Sequence, residues 1–278
     1  MSATENSAAS LKLAQIAAAL EAHGGWARRF DVEVLAECDS SNSQLLARAE
    51  AGAPAGTVIV AERQTAGRGR RGRGWQSAAG DSLTFSLLWR FPAGTPLDGL
   101  SLAIGVALAC ALESLGVQSE QNIRLKWPND VLLQGRKLAG ILIELVSGAH
   151  AGEGTAVVIG IGLNLRLPQD LPDEIRRGAA ALAETEAVLP AVHELLARLL
   201  IALGKQLEQF AVTGFAAVHA AWQQRHAFAD CPVRLLDEVS PPRTGICRGV
   251  DAQGALLLET TAGLQHVVSG EVSLRLQD

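Results

Sequence analysis

Four short segments carry residues whose types and spacing could do chemistry. The densest is Gln64–Trp75 (QTAGRGRRGRGW), which together with Arg63 puts five arginines among residues 63–73 of an acidic chain. Set between glycines, these arginines make a loop whose backbone N–H groups can form an anion-binding nest while the guanidinium groups neutralise phosphate or carboxylate. A solvated basic loop and an RNA-binding Arg/Gly segment are the alternatives. RNA-binding segments of that kind usually repeat with interleaved aromatics, and this one is a single copy. Residues 67–72 also satisfy G-x-G-x-x-G. That dinucleotide fingerprint must open a helix, whereas here the segment runs on through Gly74 into a strand, so the reading is rejected.

Lysine is scarce. Only Lys12, Lys126, Lys137 and Lys205 stand among 24 basic residues. Two of the four fall in the second and third segments, Lys126-Trp127-Pro128-Asn129-Asp130 and Arg136–Glu144 (RKLAGILIE), eleven residues apart across one hairpin. That placement points to a compact ammonium, although a hairpin lysine is ordinarily just solvated. Pro128 ends the strand before it, and Asn129-Asp130 adds turn chemistry and a carboxylate; a plain tight turn explains the pair equally. Lys137 opens a strand whose alternate residues face the core. In the fourth segment, Gly160-Ile161-Gly162-Leu163-Asn164, glycines inside a strand mark a bulge or the close approach of a ligand or another backbone. Asn164 could offer its amide to a base or ribose, and a packing origin is as good an explanation.

The elements that must position these groups follow from periodicity and breakers. Residues 1–30 read as an Ala-rich helix with a frayed start. Asp39-Ser40-Ser41-Asn42 offers N-cap chemistry for a helix through Leu45, Leu46 and Ala49. Thr57–Ala61, Ser82–Trp89, Ile123–Trp127, Val131–Leu133, Leu138–Val146 and Ala156–Leu165 read as strands, with a hairpin turn at Gln134-Gly135-Arg136. Leu100–Leu115 is an apolar helix ended by Gly116. The Pro-containing stretch 166–178 reads as polar connection, and residues 190–227 have helical periodicity. From Pro232 short β segments return, with turns at Pro241-Pro242 and Ala252-Gln253-Gly254. A boundary near 230 therefore divides an N-terminal helical segment (1–30) and an α+β domain (31–230) from a small β domain (231–278).

Composition bounds the function classes. The 278-residue chain is 48% hydrophobic and 19% charged, enough for a sizeable core, and its net charge of −5 excludes a bulk pull on nucleic acid or anionic membrane. The longest nearly unbroken apolar run, Leu100–Leu112, is too short to cross a bilayer. The first twenty residues lack the basic region of a secretory signal, so a cytoplasmic location is expected. Cys38, Cys110, Cys231 and Cys247 are far apart and read as small buried hydrophobes, while His219 and His226 read as structural or surface residues.

Taken in order, Asp39–Asn42, GRGRRGRGW, KWPND, RKLAGILIE and GIGLN, extended by Gly249–Glu259 and Gly270–Arg275, resemble biotin protein ligases over roughly residues 31–278. The resemblance implies an α+β fold: a central mixed β-sheet flanked by helices, related to class II tRNA synthetases, with a C-terminal SH3-like β-barrel. It implies that biotin and ATP give biotinyl-5′-adenylate and pyrophosphate, and that a lysine of a biotin carboxyl carrier protein, an acetyl-CoA carboxylase subunit, then takes the biotinyl group. Lys137 would be the catalytic lysine, contacting both the biotin carboxylate and the α-phosphate, with Arg68 beside it. Ser40, Ser41 and Gln64 would hydrogen-bond the ureido ring, and Asn42, Gly67, Arg68, Arg70 and Gly140 complete the biotin set. Arg68, Gly69, Arg70, Arg71, Arg73, Trp75, Lys126, Asn129 and Asp130 would serve ATP, with Asn164 reading adenine and Arg275 reaching the triphosphate. Mg²⁺ would be held mainly through phosphates.

Many relatives carry an N-terminal winged helix-turn-helix. The roughly 38 residues before Asp39 are too few for one, so a monofunctional, non-DNA-binding form is expected, with a homodimer allowed. A lipoate–protein ligase on the same fold is the runner-up, and a nucleic-acid-binding module using the arginine loop is the alternative from another class.

Overall fold

The computed structural model describes residues 11–76, 78–117, 123–147, 154–237, 241–268 and 272–277. The larger part is built on a seven-stranded sheet in the order β1-β2-β3-β7-β6-β5-β4. Its strands are β1 (Asp31–Cys38), β2 (Thr57–Gln64), β3 (Ser82–Phe91), β4 (Ile123–Lys126), β5 (Asp130–Leu133), β6 (Arg136–Leu145) and β7 (Thr155–Asn164). Only β1 and β2 pair in parallel, a connection that needs a crossover, and α2 (Ser41–Glu50) supplies it. Every other neighbouring pair is antiparallel.

Side chains alternate across a strand, and here the two faces differ sharply in size. One face presents Leu83, Phe85 and Leu87 of β3, Ile159 and Ile161 of β7, and Ile141 of β6 to the main core. Packed against it are α3 (Leu100–Ser114) and α5 (Val192–Thr213), with α1 (Leu13–Ala22) lying on α5. The opposite face carries mostly small or polar residues in register. Thr84, Gly162, Gly140, Asp130 and Lys126 form one row across five strands, and Ser86, Gly160 and Leu142 form the next. This second face is a trough rather than a core, closed at one end where α2 packs Leu45 and Ala49 on Ile59, Leu88 and Val158.

Two turns set the geometry at the lysines. Gln134 and Gly135 both have positive φ (51° and 78°), the type I′ pattern that suits a two-residue hairpin between β5 and β6. The β5–β6 register then slips between Val131 and Leu132, so that Leu132 pairs with Lys137 and Val131 with Ala139. This irregularity reverses side-chain parity. Strict alternation would send Lys137 to the core with Ala139 and Ile141; instead Leu138 is fully buried in the core and Lys137 faces the trough.

The C-terminal part is a five-stranded antiparallel sheet in the order β11-β10-β9-β8-β12. It comprises β8 (Pro232–Asp237), β9 (Arg243–Val250), β10 (Leu256–Thr260), β11 (Gly263–Val267) and β12 (Val272–Leu276), with β11 and β12 at its edges. Trp127, buried just after β4, donates its indole N–H to Gly254 O in the turn between β9 and β10 at 3.1 Å. From α6 (His219–Gln224), His219 lies 2.9 Å from Val250 O. Just after α6, His226 is buried beside Trp222 and Cys247, and burial pushes its pKa down to about 4.

Four expectations need correction. Asp31–Cys38 is a strand that the sequence reading passes over; at a sheet edge its residues are at most half-buried, so its alternation is weak. Ser40 occupies the N-cap of α2 in extended conformation but makes no capping bond with its side chain; the Ser41 N–H is taken by Gln64 Oε1 at 2.7 Å. The stretch 166–178 holds a short helix, α4 (Asp173–Gly178). Of the four cysteines only Cys247 is buried, while Cys110 is exposed on the one side of α3 that the core does not cover. The expected start of the first helix lies partly outside the described residues.

Candidate functional site

Two cavities open on the small-residue face, and they share a wall. The first, about 450 Å³, is floored by Thr84, Gly140, Leu142, Gly160 and Gly162, with Ser40, Ser41, Asn42 and Gln64 at its closed end. The second, about 620 Å³, runs toward the C-terminal sheet and is lined by Arg71, Arg73, Lys126, Asp130 and Arg275. Gly69, Arg70, Trp75, Asn129 and Lys137 line both.

The arginine loop forms the roof. The Trp75 N–H donates to Gly67 O at 2.8 Å and the Gly69 N–H to Arg73 O at 2.7 Å, so the segment folds back on itself as a flap. Arg71 and Gly72 at its tip are both left-handed (φ 61° and 63°), a turn and not the start of a long helix, as the rejection of the dinucleotide fingerprint requires. The Trp75 ring descends from the flap onto the trough, where a Cβ on Gly162 would collide with it. A Cβ on Gly160 would collide with the Asn42 amide. The strand glycines are therefore explained by close approach: Gly162 admits the tryptophan and Gly160 admits the asparagine.

At the closed end the polar groups are mutually committed. Ser86 is fully buried, with its hydroxyl 2.5 Å from Asn42 Oδ1 and 2.8 Å from Ser41 Oγ. An amide oxygen only accepts, so Ser86 donates to Asn42 and receives the Ser41 hydroxyl proton. Ser41 thus faces the cavity as an acceptor. Gln64 spends its oxygen on the Ser41 N–H, which leaves its amide nitrogen as the group it offers a ligand.

The second cavity is strongly cationic: Arg70, Arg71, Arg73, Lys126, Lys137 and Arg275 face one carboxylate, Asp130. Asp130 accepts from Lys137 Nζ at 2.7 Å and lies 3.7 Å from Lys126 Nζ. Burial works to raise the Asp130 pKa, but the two ammonium groups outweigh it and hold the carboxyl below its usual range. Burial pushes Lys126 down to about 8, with Asp130 opposing and Arg275, Lys137 and Arg73 adding to the drop. Asn129 fixes the β4–β5 turn against β6 through reciprocal bonds with Ile141 (Nδ2 to O at 2.8 Å, and Ile141 N–H to Asn129 O at 3.0 Å).

The expected residues therefore fall into groups. Ser40, Ser41, Asn42, Gln64, Arg68 and Gly140 line the first cavity alone, and Arg71, Arg73, Lys126, Asp130 and Arg275 the second alone. Gly67 acts through its carbonyl in the flap and lines neither. Asn164 also lines neither; its amide donates to Lys137 O at 3.2 Å and Ala180 O at 2.9 Å, tying the end of β7 to the strand that carries Lys137. Sequence reasoning missed Thr84, Ser86 and Glu144. The first two had a signal, since small polar residues alternate with large apolar ones in Ser82–Trp89.

A carboxylate entering the first cavity and a polyphosphate entering the second would meet at one ammonium, that of Lys137, which is the arrangement of an acid-activating, nucleotide-dependent ligase. Comparison with known proteins agrees. Residues 35–164 match the Biotin/lipoate A/B protein ligase family, and residues 232–275 match the biotin protein ligase C-terminal domain. The bifunctional ligase/repressor BirA of Salmonella typhimurium is 40% identical over 249 residues, covering 88% of this chain and 74% of that protein. The biotin–[acetyl-CoA-carboxylase] ligase of Mycobacterium tuberculosis is 34% identical over 90% of each. The solved biotin protein ligase of Aquifex aeolicus, in complex with biotin and ATP, superposes with a TM-score of 0.75 at 32% identity, covering 89% of this chain and 99% of that one. The chain belongs to the biotin protein ligase family.

Proposed function

We propose that this protein joins biotin to the AMP portion of ATP, giving biotinyl-5′-adenylate and pyrophosphate, and transfers the biotinyl group to a lysine of a biotin carboxyl carrier protein, a subunit of acetyl-CoA carboxylase, in the cytoplasm. The observation that carries this reading is the position of Lys137 on the wall shared by the two cavities. A biotin carboxylate oxygen attacks the α-phosphorus, the bond to the β-phosphate bridging oxygen breaks, and pyrophosphate leaves. The carrier amine then attacks the acyl carbon, AMP departs and the amine gives up a proton. Bringing two anions together is the physical obstacle, and the Lys137 ammonium lowers it where charge develops. No enzyme nucleophile is needed; the rest is positioning.

The first cavity suits the acid. Ser41 accepts from a ureido N–H, Gln64 donates to the ureido oxygen, and the glycine floor takes the ring and chain. The second suits the triphosphate, with Arg275 of the C-terminal part (231–278) joining the catalytic part (31–230). Asp130 is already engaged by two ammonium groups, and the described residues contain no cluster of three metal-ligating side chains. Mg²⁺ would be held mainly through phosphate oxygens. No helix among the described residues is long and apolar enough to cross a membrane.

The test is exchange of labelled pyrophosphate into ATP, with biotin, lipoate and octanoate run in parallel. Exchange with biotin alone is expected; exchange driven by lipoate instead would move the substrate to the sister activity. A second expectation concerns the floor. Gly160→Ala forces a methyl into the Asn42 amide, which cannot swing away because Ser86 and Glu144 hold both its ends. It should weaken biotin binding about tenfold and cost about 1–3 kcal/mol of stability, read by equilibrium dialysis and denaturant titration.

A further inference from the structure

We propose that Glu144 is a positioning residue that straps the arginine–glycine flap over the first cavity by holding Arg68. The naming of the trapped ligand as biotinyl-adenylate rests on the function proposed above; the strap itself does not.

Glu144 lies on β6 on the trough face, two and four residues beyond Leu142 and Gly140, where the floor ends. Its carboxylate binds on two sides. One oxygen accepts from an Arg68 guanidinium N–H of the flap. The other accepts from the Asn42 amide N–H at 2.9 Å. Arg68 has a second anchor near the start of α2, donating to Ser43 Oγ at 3.1 Å. The guanidinium of Arg68 is thus committed to the rim of the first cavity, whereas Arg71 and Arg73 line the second alone and Arg70 lines the wall shared by both. This assigns Arg68 to holding the roof and the other three to phosphate.

A carboxylate is the group this position requires. Both neighbours present N–H donors, and only an acceptor with two oxygens satisfies both; an amide would turn an NH₂ toward one of them. The anchor is also firm. Asn42 is 3% exposed and its oxygen accepts from Ser86, which in turn receives the Ser41 hydroxyl. Hydrogen bonds therefore run without a break from Gln64 and Ser41, at the acid-recognition end, through Ser86 and Asn42 to Glu144 and the flap. The pair itself is partly exposed, with 45% of the Arg68 side chain and 22% of Glu144 reachable by solvent. Such a bridge is modest in strength, which suits a roof that must open once per turnover.

The experiment reads the flap directly. Trypsin cuts after the arginines of an open loop, so cleavage after Arg70, Arg71 and Arg73 is followed by mass spectrometry in the unliganded protein, with the thermal midpoint as a fold control. Glu144→Gln should be cut about fivefold faster than wild type at an unchanged midpoint. The double variant, Arg68→Gln with Glu144→Gln, should be cut no faster than either single variant, a non-additivity that a role of Glu144 apart from Arg68 would not give. Should Glu144→Gln fail to fold, Arg68→Gln gives the same reading from the exposed partner. In a second arm, preformed biotinyl-adenylate should leave Glu144→Gln about fivefold faster. Cleavage at the wild-type rate in either single variant, or a double variant cut about as much faster as the two single effects multiplied together, would overturn the strap. If cleavage behaves as expected but the wild type shows no biotin-dependent pyrophosphate exchange, the strap stands and the biotin reading fails.

Discussion

Lys137→Ala is expected to slow biotin-dependent pyrophosphate exchange by about 10²–10³-fold, the cost of removing one preorganised charge from a developing anion in a partly closed site. The fold should survive. Lys137 reaches the trough by way of the register slip at the start of β6, and the neighbouring Leu138, not Lys137, fills the core. Asp130 loses its 2.7 Å partner but keeps Lys126 at 3.7 Å, so no buried carboxylate is left unpaired. Arginine should not restore the rate. Gly140 and the Trp75 ring crowd the ammonium: a Cβ on Gly140 would lie 3.0 Å from Nζ, and the ring centroid is 5.6 Å away. A planar fork with five donors does not fit where a point charge sits. Exchange rate and thermal midpoint measured on the same preparations check this. An unfolded alanine variant would make Lys137 structural, and an active one would remove it from the chemistry.

Much of this site was legible before the fold was known, and the reasons are local. The arginine loop, the proline that ends β4 and the Gln134-Gly135 hairpin are short-range signals, and the structure has a folded-back flap, a strand end and a two-residue turn at those positions. Other parts depended on contacts distant in sequence. Asp31–Cys38 pairs with only one neighbour, so its pattern is faint. The alternation of Lys137 could not be read correctly because one slipped residue pair reverses it, and nothing in RKLAGILIE announces the slip. The strand glycines were ambiguous between packing and ligand approach until Asn42 and Trp75, more than 80 residues away, were seen to occupy the space they leave. Nothing local marks Glu144, because its partners, Asn42 and Arg68, lie 102 and 76 residues away. Asn164 is the converse case: its position at the end of a glycine-bearing strand leaves base recognition and packing equally open, and its amide nitrogen donates to two backbone carbonyls.

The pH dependence of ATP use should fall on Lys126. In the free protein its pKa is pushed down to about 8, chiefly by burial, with Asp130 opposing and the nearby cations adding. Below that value the ammonium is present and contributes to triphosphate binding; above it the group is neutral and the contribution is lost. The kcat/KM for ATP, which reports the free enzyme, should therefore fall as pH rises through about 8, approaching about tenfold per unit for a single proton. Lys126→Arg should flatten this limb, because a guanidinium does not titrate there. The stability effect of the same residue has the opposite sign. A lysine whose folded pKa lies below its unfolded value binds fewer protons in the native state, so its penalty on folding is full below about pH 8 and is relieved as pH rises from there toward 10.5. Over that window Lys126 makes the fold more secure while ATP use declines. An activity loss caused by unfolding would instead track a falling thermal midpoint and would persist in Lys126→Arg, so measuring both quantities across the window in wild type and variant separates titration of the site from loss of the fold.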